Sequence, residues 1–249
     1  NDAHERRVRE ILNVERPDLH VTLSSEVCPE VREYERLTTA SANAYVQPLM
    51  ARYLSRLKDE LDARGFACPV FLMTSGGGLT TLDTAIRFPI RLVESGPAGG
   101  AILATGIAAQ CGADKALSFD MGGTTAKTSL IRSGQPTMAE GYYVGGYASG
   151  DPVMSPVVDV VEVGAGGGSI GRVPELTGAL RVGPESAGAD PGPACYGQGG
   201  TKATVTDANL VLGRINPDFF LGGETRLDVG LSEKAVSEKV ADPMGLDLF

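Results

Sequence analysis

Between Thr38 and Ala63 the apolar residues Leu49, Met50, Tyr53, Leu54, Leu57 and Leu61 recur at three- and four-residue spacings. That period predicts a helix with one apolar stripe to bury. Pro48 within it predicts a kink or a fresh start, because proline brings no amide to the helix ladder. Residues 3–12 have helix-forming composition, and 19–24 reads as a strand ending in Ser24-Ser25-Glu26. Pro69 to Met73 is a short apolar strand that delivers Thr74-Ser75-Gly76-Gly77-Gly78 as a loop, and Ile90 to Val93 is a second strand leading to Glu94-Ser95-Gly96-Pro97-Ala98-Gly99-Gly100. Ala101 to Cys111 predicts a buried helix closed by Gly112.

The second half of the chain is more punctuated. Ala116 to Phe119 reads as a strand that runs into Asp120-Met121-Gly122-Gly123-Thr124-Thr125 and returns over Ala126 to Arg132, a β-hairpin followed by a turn at Ser133-Gly134. Val157 to Val163 is an apolar strand interrupted by Asp159 and Glu162, ending in Gly164-Ala165-Gly166-Gly167-Gly168-Ser169. Residues 183–201 hold too much Gly, Pro and Ala for helix or strand to persist and predict an ordered loop. Thr206 to Gly213 reads as a short helix capped by Thr206 or Asp207, and Ser232 to Val240 as an amphipathic helix. No internal repeat is found at a period of roughly 20–50 residues.

Composition narrows the function. The 249 residues are enough for one large domain or two small ones, and 42% of them are hydrophobic, which supports a substantial core. The formal charge of −9 argues against nucleic acid as a partner, since a phosphate backbone rewards clustered Lys and Arg. No run approaches the roughly 18 apolar residues of a membrane span, and residues 1–7 lack a signal-peptide core. The expectation is a cytoplasmic protein without membrane contact, acting on small molecules or other proteins. Cys28, Cys68, Cys111 and Cys195 form no CxxC or Cys/His pattern, which predicts scattered buried thiols and no structural zinc. With only His4 and His20 present, a Ser-His-Asp triad or a histidine-rich metal site is not expected. The 33 glycines fall in clusters between apolar segments, as shaped turns do and flexible linkers do not.

One cluster carries chemistry. Phe119 to Thr125 combines a carboxylate, two glycines and two hydroxyls on a tight hairpin. Gly122 and Gly123 leave backbone N–H groups open to phosphate oxygens, Thr124 and Thr125 add hydroxyl donors, and Asp120 can hold Mg²⁺ directly or through water. Taken alone, the segment also reads as an ordinary glycine turn. About twenty residues upstream, Glu94 to Ala101 opens a helix whose small residues permit close packing, with or without a ligand.

The order of small-residue helix, short connection, apolar strand and Asp-x-Gly-Gly-Thr hairpin resembles the connecting helix and second phosphate loop of actin-like ATPases, among them sugar kinases and heat-shock chaperones. The finer resemblance is to the hydantoinase A/oxoprolinase family, which includes N-methylhydantoinase A, 5-oxoprolinase and the acetone carboxylase β-subunit. It is carried by Ser24-Ser25-Glu26-Val27, Glu33-Tyr34-Glu35-Arg36, Thr74 to Gly78, Ser95 to Gly100, Phe119 to Thr124, Gly164 to Ile170, Val182 to Ala189, Pro191 to Gly197 and Thr204 to Asn209. Where many members show Ser-Thr-Asp in the hairpin, this chain has Thr125-Ala126-Lys127, so a second carboxylate is missing and Lys127 is a candidate to face phosphate.

The resemblance implies an α/β, actin-like ATPase (ribonuclease H-like) fold with a mixed sheet flanked by helices, present as an incomplete fragment. Residues 1–112 would form the end of a first lobe with its connecting helix, and 113–249 the start of a second. An earlier Asp-x-Gly-Gly-Thr hairpin is implied in an N-terminal lobe and is not supplied before Ser24, so isolated catalysis is not expected. The intact enzyme would use ATP and Mg²⁺ to activate a cyclic amide such as hydantoin or 5-oxoproline. It would work with a hydantoinase B-like subunit or domain. Asp120 is assigned to Mg²⁺ and catalysis, Gly122, Gly123, Thr124, Thr125 and Lys127 to phosphate, and Gly166, Gly167 and Gly168 to a second backbone cradle. The last segment equally reads as a close-packing turn.

Bland readings stand beside the rest. Asp207 reads as an N-cap, with a catalytic or metal role as the alternative, Glu185 and Asp190 as solvated or cation-binding, and Cys195 as an inert thiol in preference to a nucleophile. Glu26, Glu33, Glu35 and Arg36 read as a solvated or ion-paired face that locks the entry segment. The alternatives of another class are a subunit-interaction module and a sugar- or acetate-kinase-like phosphotransferase, the latter opposed by the Gly-Pro segment 183–201.

Overall fold

A computed structural model of the chain describes residues 2–146 and 148–248. The chain is a mixed α/β protein that divides into two compact units, one of residues 1–118 and 129–160, the other of residues 119–128 and 161–249.

The first unit holds α1 (Ala3–Glu15), α2 (Ser24–Val27), α3 (Glu33–Ala63), β1 (Phe71–Met73), β2 (Leu79–Thr81), α4 (Leu82–Arg87), a 3₁₀ turn at Pro89–Leu92 and α5 (Ser95–Gln110). Two segments expected to be strands are not. Residues 19–23 are irregular and Ser24 begins α2, because the Glu5 carboxylate on α1 accepts from the Ser24 and Ser25 hydroxyls and the Ser25 amide. Burial pushes the Glu5 carboxyl up, but those hydrogen bonds and the Arg36 guanidinium outweigh it and hold the pKa at about 2. Residues 90–93 give way to the 3₁₀ turn, whose first position is taken by Pro89, already set near helical φ.

Helix α3 runs unbroken through Pro48, with no new start. Its buried face keeps Met50, Leu54 and Leu57 of the expected apolar stripe but is extended towards the N-terminus by polar residues. Thr39, Asn43, Gln47, Ala51 and Leu54 are buried, whereas Leu49 and Tyr53 are exposed. Asn43 is satisfied there: its amide donates to Thr22 Oγ1 and the Arg87 carbonyl, each at 3.0 Å, and its carbonyl accepts from the Ile90 amide at 3.3 Å. Leu54, Leu82 and Ala85 form the adjacent core with Met50, Leu57, Leu72 and Leu92. Three of the four residues read as a solvated or ion-paired face are paired: Glu26 meets Arg9 at 2.9 Å and Arg87 at 3.0 Å, Glu35 meets Arg32 at 3.2 Å and Arg36 meets Glu5 at 3.4 Å, while Glu33 is exposed.

Helix α5 starts at Ser95, so Gly96, Gly99 and Gly100 lie in its first turns instead of in a loop. Ala98 and Ala101 are wholly buried against Val158. A Cβ on Gly77 would come within 2.7 Å of the Ile102 side chain, so the Thr74–Gly78 loop needs glycine where it crosses this helix. Gly112, with φ +68°, closes the helix as expected.

The hairpin strands β3 (Lys115–Met121) and β4 (Ala126–Arg132) run through both units, the tip at 119–128 belonging to the second. In the first unit β4 pairs antiparallel with β5 (Gln135–Pro136) across the left-handed turn at Ser133 and Gly134, and β6 (Tyr142–Val144) pairs with β7 (Asp151–Val153). In the second, Ala126, Lys127 and Thr128 pair antiparallel with Val163, Glu162 and Val161 of β8 (Val161–Val163). The long strand expected from Val157 is confined to β8.

β9 (Ser169–Arg172) pairs antiparallel with β10 (Arg181–Ser186), so a strand does persist into the Gly-Pro segment. It survives by a register shift between Val182 and Ser186. Then come α6 (Val205–Val211), α7 (Val229–Val236), a π-helical turn at Ser237–Ala241 and α8 (Asp242–Met244). Ala194, Ala203 and Ala235 form one core of this unit, and Cys195, Leu210 and Leu227 a second. The sheets are small, and each of these pairings is antiparallel, where a mixed sheet was expected. Among the described residues no helix is long and apolar enough to cross a membrane.

Candidate functional site

The tip of the β3–β4 hairpin is closed by one internal hydrogen bond, from the Gly122 amide to the Thr125 carbonyl at 2.9 Å. Gly122, Gly123 and Thr124 are exposed, as is Asp120 at the end of β3. Among the described residues, the Asp120 carboxylate, the Gly123 and Thr124 amides and the Thr124 and Thr125 hydroxyls have no hydrogen-bond or ion-pair partner. Neither Gly122 nor Gly123 has a positive φ, and a Cβ on Gly123 would meet nothing within 4 Å. The turn itself therefore does not demand glycine at 123. Lys127 sits lower, on the stem, opposite Glu162 in the β4–β8 register.

The other side of the tip is pinned. The Gly167 amide donates to the Gly122 carbonyl at 2.9 Å, and the Gly168 amide to the Gly123 carbonyl at 2.7 Å. The Gly166 amide donates to Ser169 Oγ at 2.8 Å. This overturns the reading of Gly166, Gly167 and Gly168 as a second open cradle: all three N–H groups already have protein acceptors. The segment is the close-packing turn, and its glycines are needed for contact. A Cβ on Gly166 would fall 2.6 Å from the Thr124 nitrogen and 2.7 Å from the Gly122 oxygen, and one on Gly168 2.7 Å from Ser186 Oγ.

Behind this strap stands α6. Its N-cap is Thr204, ahead of the expected Thr206 or Asp207, in a reciprocal capping box with Asp207. Asp207 is wholly buried and accepts from the Ala194, Cys195 and Thr204 amides, Thr204 Oγ1 and Ser232 Oγ, at 2.7 to 3.1 Å. Its five donors tie α6, α7 and the 194–196 turn into one node, so its role here is structural. Cys195 lies in the same node; burial first, then the Asp207 charge, pushes its thiol up to about 12. That chemistry suits an inert thiol, as read from the sequence. Cys28 is likewise buried, but Cys68 and Cys111 are exposed. Glu185 is ion-paired with Lys202, Asp190 is exposed, and no cluster of three or more His, Cys, Asp or Glu gathers among the described residues.

A carboxylate, two open amides and two hydroxyls on one exposed bend suit a Mg²⁺-bound phosphate. Mg²⁺ is commonly held by one or two carboxylates plus phosphate oxygens, so the lack of a larger acidic cluster is compatible with it. What the sequence reading missed is the support: Thr206, Ser169 and Ser186, of which only Thr206 was singled out, and then as a cap.

The hydantoinase/oxoprolinase family model matches residues 36–248. An uncharacterized protein of Methanocaldococcus jannaschii is 44% identical over 98% of this chain and 37% of its own length. Caprolactamase subunit alpha of Pseudomonas jessenii is 36% identical over 100% of the chain and 35% of its own. Two solved structures cover the whole chain: ATP-dependent caprolactamase from Pseudomonas jessenii, with TM-score 0.74 and 34% identity, and nucleotide-free acetone carboxylase, with TM-score 0.70 and 31% identity. Each is covered over 35% of its own chain, so the present chain spans about a third of these relatives. With a match reaching from α3 to the end of the second unit, the chain belongs to the hydantoinase/oxoprolinase family.

Proposed function

We propose that the Asp120–Thr125 hairpin is one phosphate-binding element of an ATP-dependent enzyme that activates a cyclic amide, either an imide or a lactam. The reading places residues 1–112 at the end of one lobe of an actin-like ATPase and 113–249 at the start of the other. A second phosphate hairpin and a hydantoinase B-like subunit or domain lie elsewhere in the assembly. The observation that carries it is Gly123, a glycine with no positive φ and empty space where a Cβ would stand, on an exposed tip whose Gly123 and Thr124 amides and Thr124 and Thr125 hydroxyls have no partner among the described residues. Folding gives no reason for glycine there, whereas a ligand approaching the main chain does.

In this reading Asp120 holds Mg²⁺ directly or through water. The Gly123 and Thr124 amides and the Thr124 and Thr125 hydroxyls donate to phosphate oxygens, each such bond being worth roughly 1.5–3 kcal/mol. Gly122 leaves room for the approach while its own amide closes the turn, and Lys127 adds positive charge on the stem. Bound ATP supplies the phosphoryl group that makes an amide carbonyl a better electrophile. The ATP dependence of the caprolactamase and of acetone carboxylation supports the nucleotide in both a hydrolytic and a carboxylating version.

The test is calorimetric titration of the full-length polypeptide with ADP and with a non-hydrolysable ATP analogue, with and without Mg²⁺. Asp120→Ala is expected to weaken Mg-nucleotide binding at least about ten-fold, a loss of roughly 1.4 kcal/mol; equal affinity for both proteins would overturn the assignment. Release of ADP that depends on hydantoin, 5-oxoproline or a lactam identifies amide activation, whereas dependence on a sugar or acetate identifies a kinase.

A second reading, a docking surface for another subunit, is favoured by Phe119 and Val161, both 60% exposed beside the hairpin tip. It requires Phe119→Asp to abolish subunit association while Asp120→Ala leaves nucleotide affinity unchanged.

A further inference from the structure

The strap at Gly166–Gly168 holds the hairpin tip with two hydrogen bonds, but a glycine-rich strap cannot hold itself. Its carbonyls are fixed from the far side. The Gly168 carbonyl accepts from the Ala187 amide at 2.8 Å. The Gly167 carbonyl accepts twice from one residue, from the Thr206 amide at 2.8 Å and from Thr206 Oγ1 at 2.9 Å. The Gly167 carbonyl and the Gly168 amide are thus the two ends of one planar peptide, gripped by Thr206 at its carbonyl and reaching the Gly123 carbonyl through its N–H. Thr206 is buried, at 8% exposure, and its backbone is set by the Thr204–Asp207 capping box around it.

Resting on the reading of the hairpin as a phosphate site, we infer that Thr206 is a positioning residue for phosphate binding. It acts through the Gly167–Gly168 peptide and the Gly123 carbonyl and touches no ligand itself. The hydroxyl matters as well as the amide. A Cβ placed on Gly167 would lie 2.7 Å from Thr206 Oγ1, so the hydroxyl lies hard against this peptide and limits its rotation. Without it, one hydrogen bond still holds the Gly167 carbonyl, but the peptide is free to tilt about that bond. A tilt moves the Gly168 amide away from the Gly123 carbonyl and turns the Gly123–Thr124 peptide, whose N–H is the open Thr124 amide. Hydrogen bonds to charged acceptors weaken steeply with such misalignment.

Thr206→Val removes the hydroxyl at nearly constant shape, and Thr206→Ser returns it without the methyl. In the full-length protein, Thr206→Val is expected to weaken Mg-nucleotide binding about five- to ten-fold, the order of one hydrogen bond's worth of affinity. Thr206→Ser should lie within about two-fold of wild type, a rescue that loss of packing alone does not produce, since serine packs less well than valine. Deuterium exchange over residues 161–172 should quicken in the valine variant and not in the serine variant. Thr206→Ala serves as the second variant if valine crowds Gly167 and does not fold, with the same loss and the same serine rescue expected.

If Asp120→Ala loses nucleotide while Thr206→Val and Thr206→Ala bind like wild type, the positioning role is overturned and the hairpin assignment stands. If wild type does not bind Mg-nucleotide, or Asp120→Ala binds it equally, the hairpin assignment itself fails and takes this inference with it. Unchanged exchange over 161–172 in a variant that has lost affinity also overturns the route through Gly167.

Discussion

Gly122–Gly123 and Gly166–Gly168 are alike as sequence: glycines at the end of a short apolar strand, next to a hydroxyl residue. In the folded second unit they do opposite things. The strap has each of its three amides on a protein acceptor and its Cα atoms against neighbouring backbone and side chains, while the tip keeps the Gly123 amide open and its Cα against nothing. Glycine at the strap is there so that protein can approach protein, and at position 123 it leaves an approach free. The contrast teaches that a glycine run becomes a ligand cradle only if something else does not use its amides first.

The contrast breaks most completely if the strap loses its foundation. Asp207→Ala leaves three buried amides and the Thr204 and Ser232 hydroxyls without their common acceptor. Such a loss is expected to cost about 4 kcal/mol in urea denaturation, at the upper end for a single substitution. Gly166→Ala comes next. Its Cβ would meet the Thr124 nitrogen and Gly122 oxygen, main-chain atoms that cannot rotate away, so a loss of about 3 kcal/mol is expected from overpacking. A denaturation midpoint like that of wild type for Gly166→Ala would mean that strap and tip are not in contact in solution, and the difference drawn between them would vanish.

Much of this arrangement was readable from local chemistry, and the rest was not for identifiable reasons. The hairpin was legible because strand alternation, a Gly-Gly bend and a return strand are all local, and β4 runs over Ala126–Arg132 as expected. The start of α2 was not, because it depends on Glu5 reaching across from α1, a contact about twenty residues away. The buried face of α3 was legible at Met50, Leu54 and Leu57 but not at Asn43, which is satisfied inside by partners at Thr22, Arg87 and Ile90. The cap of α6 was misplaced because Thr204, Thr206 and Asp207 all have cap-forming side chains; only the capping box separates them. The strap was misassigned for the deepest reason: donors and their partners at Gly122 and Gly123 lie some forty residues apart, and composition does not reveal which of two glycine runs will be satisfied by the other.

The finest test of the comparison is the substitution expected to change stability least. Gly123→Ala adds one methyl group at a position with ordinary φ and empty space around it, so its denaturation midpoint should match wild type within about 0.5 kcal/mol. If the open side of the tip is where phosphate approaches the main chain, that same methyl group stands in the way, and Mg-nucleotide affinity should fall about ten-fold, roughly 1.4 kcal/mol. Stability and affinity would then separate at residue 123, whereas at residue 166 both would fall together. An alanine at 123 that leaves both unchanged would mean that its open space is merely solvent, and the case for a ligand would shift from the glycine to Asp120 alone.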